Sequence, residues 1–242
     1  METNDLYPLP QGEDLPAEVV PTVLPESGES LAALPPGHAW PPKPWLTIWT
    51  APRSTIRAIL NADPKRYVLA LAALSGILNS LNQASSRSVG DSLPLWAIFL
   101  LALILGPLVG IINLYISGFI LDLSARAFKG SGDSERTRTA LAWASIPAIA
   151  SLVLWLFELL LYGGDMFTTI APRLENNPLL LLFPIVEFVL AVWAFFLLVK
   201  TFAEVQRFSA WRSLAAILLP ALIVFVLLFA CLVVVIGLRI SP

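Results

Sequence analysis

Leu214–Leu238 runs for 25 residues without a charge, and three further stretches are nearly as apolar. Leu93–Leu121 holds no charge in 29 residues, Ala140–Tyr162 holds only Glu158, and Leu179–Val199 holds only Glu187. A helix crosses the hydrocarbon of a bilayer with about 20 mainly apolar residues, so each stretch is long enough to span. Tyr67–Ser86 is a fifth, weaker stretch; it has no charge, but Asn79, Asn82 and Gln83 lie near its end. Charged residues make up 13% of the chain, against about a quarter in a soluble domain. The pattern predicts an all-α, polytopic membrane protein with five transmembrane helices at about 67–86, 93–121, 140–162, 179–199 and 214–238.

The loops divide the basic residues unevenly. Lys43, Arg53, Arg57, Lys65 and Arg66 precede the first span. Arg126, Lys129, Arg136 and Arg138 lie between the second and third, and Lys200, Arg207 and Arg212 between the fourth and fifth. All twelve fall on one side of a five-span chain; the other side receives only Arg87, Arg173 and Arg239. Cytoplasmic loops carry the excess of Lys and Arg, which predicts a cytoplasmic N-terminus and an external C-terminus. The alternation fails if Tyr67–Ser86 does not span, so the charges support the weak stretch. Met1–Asn4 holds an acid, no base and no apolar run behind it, so the first span is expected to direct insertion.

Residues 1–44 read as a separate tail, ahead of a membrane domain over 45–242. Its first 42 residues contain seven acids, nine prolines and no Lys or Arg. Such a segment cannot bury enough apolar surface to offset its chain entropy, and is expected to be disordered and cytoplasmic. Its end, Trp40-Pro41-Pro42-Lys43-Pro44, suits either a polyproline ligand for an aromatic groove or a stiff spacer off the membrane. In Trp45–Asn61, the residues Trp45, Ile48, Trp49, Ile56, Ile59 and Leu60 recur at helical spacing, opposite Thr50, Arg53, Ser54, Arg57 and Asn61. Pro52 fits a helix start with Thr50 as candidate N-cap, and Pro64 stops the helix. Apolar residues opposite arginines describe an amphipathic helix lying in the membrane interface. Trp45, Trp49, Arg53 and Arg57 are its candidate lipid contacts. An anchor for the first span and a lipid-sensing element both fit.

Inside the membrane, Gly106, Gly110, Asn113 and Ser117 share one face of the second span. Gly106 and Gly110 form a GxxxG that permits close helix approach, and Pro107 between them predicts a kink. This is a helix-packing face, with an opened backbone at Pro107 as the functional alternative. The third span places Ser151, Trp155, Glu158 and Tyr162 on one face; the fourth carries Glu187 one turn after Pro184. At 1.5 Å per residue, the two acids differ in depth by only about a turn. No Lys, Arg or His lies within any span, so these carboxylates have three resolutions: a raised pKa, hydrogen bonds to neighbours, or a bound cation. Ionisable groups in a membrane are functional candidates. Glu158, Glu187, Trp155 and Tyr162 therefore form the candidate intramembrane polar site, and a structural acid pair is the alternative.

Much chemistry is excluded. His38, the only His, falls in the tail, which removes a histidine metal centre or base. Cys231, the only Cys, lies inside an apolar run, so disulfides and cysteine-rich metal sites are excluded. Lys129-Gly130-Ser131-Gly132 lacks the spacing of a phosphate loop and reads as a turn, with Asp133 or Ser134 capping the next helix. No catalytic constellation, metal site, cofactor or nucleic-acid surface is expected.

The stretch GPLVGIINLYISGFILDLSARAFKGSGDSERTRTALAWASIP, Gly106 to Pro147, resembles bacterial members of the Yip (Ypt-interacting protein) domain family. It shows a Gly- and Tyr-bearing span, a basic helix end, a Gly-Ser-Gly turn, an Arg-bearing helix and then Trp143-Ala144-Ser145-Ile146-Pro147. The upstream PWLTIWTAPRSTIRAIL is similar to the family's pre-span segment, and the resemblance covers about Trp45 to Arg239. It implies a five-span fold with a cytoplasmic N-terminus in the bacterial cytoplasmic membrane. Eukaryotic members are implicated in vesicle traffic and bind small GTPases; their Asp-Leu-Tyr-Gly-Pro signature is reduced here to Gly106-Pro107. The expected function is non-enzymatic membrane organisation or partner recruitment, with membrane lipids, a cytoplasmic protein or a second copy as partners. The alternative is a small ion- or proton-coupled transporter using Glu158 and Glu187.

Overall fold

The computed structural model describes residues 40–130, 133–170 and 182–240, with side chains as far as Leu232. The expectations for residues 1–39, for Ser131 and Gly132 of the turn, and for residues 171–181 ahead of the fourth span lie outside the described residues.

Every regular element among them is helical. They are α1 (Pro44–Thr50), α2 (Pro52–Ala62), α3 (Val68–Ser86), α4 (Leu95–Ala127), α5 (Ser134–Ala144), α6 (Ile146–Tyr162), α7 (Leu182–Gln206) and α8 (Ala210–Ile240), with 3-10 turns at Val89–Asp91 and Gly163–Phe167. Five stretches are long and apolar enough to cross a membrane: α3, α4, α5 and α6 in series, α7, and α8. The helices continue on both sides of Pro107 and Pro220.

The amphipathic segment before the first span is present as two helices. Pro52 has no N–H and disfavours helical backbone at the residue before it, so Ala51 leaves the helical region at φ −128° and ψ 59°. Ala51, not Thr50, is the N-cap of α2, and no side chain caps it. Thr55 Oγ1 donates to Thr47 Oγ1 at 3.0 Å and ties the pair together. Ile48, Ile56 and Ile59 are fully buried against Ala140, Trp143, Leu197 and Val205. Protein therefore takes up the isoleucine side, each residue contributing about 1.5–3 kcal/mol of burial. Trp45, Leu46 and Arg53 remain exposed.

That packing is possible because the spans overhang. The 33 residues of α4 extend about 50 Å at 1.5 Å per residue, against about 30 Å of hydrocarbon. The ends of α4 and α7 and the start of α5 run past the apolar stretches and pack with α1 and α2 into a helical layer. Polar contacts lock it. Gln206 Nε2 donates to Thr137 Oγ1 at 3.1 Å, and Thr139 Oγ1 donates to the Pro64 carbonyl at 2.7 Å. Buried Asp122 accepts from Arg126 at 2.9 Å and from Ser134 Oγ at 3.1 Å. Asp133 caps α5 by accepting from the Arg136 N–H at 2.7 Å.

Within the membrane the closest pair is α3 with α4. A Cβ on Gly76 would overlap the Gly106 carbonyl oxygen and lie 2.7 Å from the Gly110 Cα. Only glycine lets the backbones meet there. By contrast, α8 is held near its start, where Ser213 Oγ donates to the Val199 carbonyl at 2.8 Å and Ser124 Oγ to the Ala216 carbonyl. From Ala221 to Leu232 every residue is exposed.

Candidate functional site

The 4-3-4 spacing of Ser151, Trp155, Glu158 and Tyr162 puts them on one face of α6, and all four are buried. Glu158 is 9% exposed and Tyr162 3%. The last turns of α3 bring Asn82, Ser85 and Ser86, and the first turns of α7 bring Pro184 and Glu187. With Met166 these groups line a half-open cavity of about 260 Å³, at the end of the bundle opposite the basic layer. The four residues expected to form an intramembrane polar site therefore line one space.

Its walls are fixed by hydrogen bonds and rings. Trp155 Nε1–H donates to Asn82 Oδ1 at 3.0 Å, and Ser85 Oγ–H to the Met166 carbonyl at 2.7 Å. Phe167, fully buried, lies 5.7 Å from the Trp155 ring and 6.0 Å from Phe99. The Tyr162 ring sits edge-on to Phe183 at 6.3 Å. Three buried side-chain polar atoms have no hydrogen-bond partner among the described residues; the Tyr162 hydroxyl and Glu187 Oε1 belong to this site, and Trp143 Nε1 lies in the basic-side core. No ion pair among the described residues reaches either glutamate, and both line the same cavity.

Beside the cavity, Asp91 ties two turns together. Its carboxylate accepts from the Thr169 hydroxyl at 2.5 Å and from the Thr169 N–H at 3.1 Å. These bonds, the hydroxyl first, hold the Asp91 carboxyl below the usual carboxylate range.

Sequence reasoning missed Asn82 and Ser85 as members of the site. The signal was the clustering of Asn79, Asn82, Gln83, Ser85 and Ser86 in the last turns of the first span, which reads there only as a loss of hydropathy.

The expected packing face on α4 divides. Gly106 and Gly110 meet Gly76 of the same chain. Asn113 stays exposed and accepts from Ser117 Oγ at 3.3 Å.

The candidate lipid-contact residues also separate. The Trp45 ring lies 4.8 Å from Trp143 and 5.2 Å from Tyr67, and Trp49 packs against the same core. Arg57 pairs with Glu204 at 2.6 Å, joining α2 to α7, while Arg53 is exposed. Arg57, Arg136 and Arg207 with Glu204 line a pocket of about 300 Å³ on this face. Trp40 docks on the aromatic core, 6.0 Å from Trp143 with the Arg66 guanidinium 4.6 Å above its ring. Trp40 and the buried Pro41 are thus folded onto the bundle, and form neither a free ligand nor a spacer.

No group of three or more His, Cys, Asp or Glu suited to a metal occurs among the described residues. Among known families, the Yip1 domain matches residues 46–232. No curated protein and no solved structure matches the chain.

Proposed function

This chain belongs to the Yip1-domain family, and from that premise we propose that it recruits partners to the membrane through its basic helical layer, without catalysis. The observation that carries this reading is the layer itself. Trp40, Trp45, Tyr67 and Trp143 form one aromatic cluster with the Arg66 guanidinium over it, and Arg53, Arg136 and Arg207 are exposed on the same basic side of the chain. A packed core gives those charges fixed positions, which a docking surface needs. The positive-inside bias supports a cytoplasmic location for the layer and the tail and an external C-terminus; the membrane proposed is a bacterial cytoplasmic one, on the resemblance of Gly106 to Pro147 to bacterial members of the family. Anionic headgroups beside the layer and an acidic cytoplasmic protein suit its charge; a second copy remains a further partner of the chain.

Affinity purification from native membranes tests this with three versions: full length, a deletion of residues 1–39, and the Arg53→Glu/Arg207→Glu double variant. A cytoplasmic partner captured by the full chain and lost from the double variant or the deletion supports recruitment, provided the variant still inserts. Equal recovery by all three, or no specific partner, overturns it. A C-terminal reporter found in the cytoplasm overturns the orientation.

A further inference from the structure

We infer that the cavity between the ends of α3, α6 and α7 binds a hard divalent cation of the Ca²⁺ type. This goes beyond recruitment: it assigns a ligand to the opposite end of the bundle.

The first argument is unsatisfied polarity. A buried polar group without a hydrogen bond costs about 1–3 kcal/mol, and such groups are rare in native structures. Here two line one cavity from different helices, the Tyr162 hydroxyl in a side chain 3% exposed, and Glu187 Oε1. Both are explained if an ion accepts their lone pairs. The second argument is charge. Glu158 and Glu187 share the cavity with no ion-pair partner among the described residues. One divalent cation neutralises both carboxylates, whereas one shared proton neutralises half of the pair.

The third argument is donor chemistry. The oxygen-bearing side chains that line it include the two carboxylates, the phenol, the Asn82 amide and the Ser85 hydroxyl, which donates its proton to the Met166 carbonyl. Asn82 Oδ1 already accepts from Trp155 but keeps a second lone pair. Oxygen donors select Ca²⁺, Mg²⁺ or Mn²⁺ over zinc and copper, which favour imidazole and thiolate. Ca²⁺ accepts 6–8 oxygens in irregular geometry and takes water among them. A space of about 260 Å³ has room for an ion with several waters, each needing about 30 Å³.

Tb³⁺ is the probe, because it replaces Ca²⁺ and emits when a neighbouring indole absorbs, and Trp155 lines the cavity. The full chain in lipid nanodiscs is expected to give saturable Tb³⁺ emission that Ca²⁺ displaces. Trp155→Phe should lose the emission sensitised through the indole. Glu187→Gln should weaken binding by at least about tenfold, the low end for loss of a metal-site group. Should that variant fail to fold, Tyr162→Phe keeps both carboxylates and should still weaken binding. The inference is overturned if emission does not saturate, if it survives in Trp155→Phe, or if the folded Glu187 and Tyr162 variants bind as the parent does. It is equally overturned if Ca²⁺ leaves the Tm where NaCl of equal ionic strength leaves it.

Discussion

The basic-side layer and the last two spans are held by different physics. In the layer, Ile48, Ile56, Ile59 and Trp143 are fully buried, as in a soluble protein. Of the most apolar eighteen residues of α7 and of α8, only 6% is buried, against 39% for α3. Leu and Phe gain from burial only where the alternative is water; in lipid the alternative is equally apolar. Helices inside the bilayer must therefore be joined by close backbone approach or polar contacts. The Gly76–Gly106–Gly110 crossing is the first kind, and the Trp155–Asn82 bond is the second.

The largest effect that can sharpen this contrast is expected at the crossing. Gly76→Leu places side-chain atoms where the α4 backbone runs, and should cost about 3 kcal/mol or more, the upper range for overpacking. Equilibrium unfolding in detergent measures it. A loss near zero would mean that α3 and α4 are free to separate.

Next comes a matched pair of truncations. Ile56→Ala in the layer should cost about 2–5 kcal/mol. Leu227→Ala in α8, where the side chain is exposed, should stay within about 0.5 kcal/mol. Similar losses at both positions would break the comparison and show that another protein surface covers α8.

The smallest effect is local. Asp91 has a lowered pKa when bonded to Thr169, so its tie is present above the ordinary carboxyl pKa and is lost as pH falls through the lower, folded value. The Thr169 amide resonance should titrate in that acidic window, and Asp91→Asn should flatten the response. Global unfolding should not follow it, because the tie is exposed.

The five spans were legible because a run of apolar residues longer than a membrane is thick has few other uses. The gathering of Glu158, Trp155 and Tyr162 was legible too, since helical spacing alone puts them on one face. The overhangs were not. Hydropathy ends the second span before Asp122 and the fourth before Lys200, yet the helices continue to Ala127 and Gln206. Asp122 is polar to a hydropathy scale, but in the layer Arg126 and Ser134 satisfy it. The division of the α4 glycines from Asn113 was equally hidden. Shared face predicts shared direction, but α3 approaches closely only where small residues meet, Gly76 and Ala72 against Gly106 and Gly110.

The way α4 and α7 stop has a consequence of its own. At α4 the Gly130 N–H bonds the Ala125 carbonyl at 2.9 Å and Lys129 bonds Arg126 at 3.0 Å. At α7, Phe208 bonds Ala203 at 2.8 Å and Arg207 bonds Glu204 at 3.3 Å. Both are Schellman closures, whose pivot residue is left-handed and is usually glycine. Here the pivots are Lys129 at φ 60° and Arg207 at φ 55°, each carrying strain of about 1–2 kcal/mol that glycine would not. Yet glycine there would remove a positive charge from each of these helix ends. Each of the two helix ends thus keeps, as permanent tension, a charge that glycine could not carry.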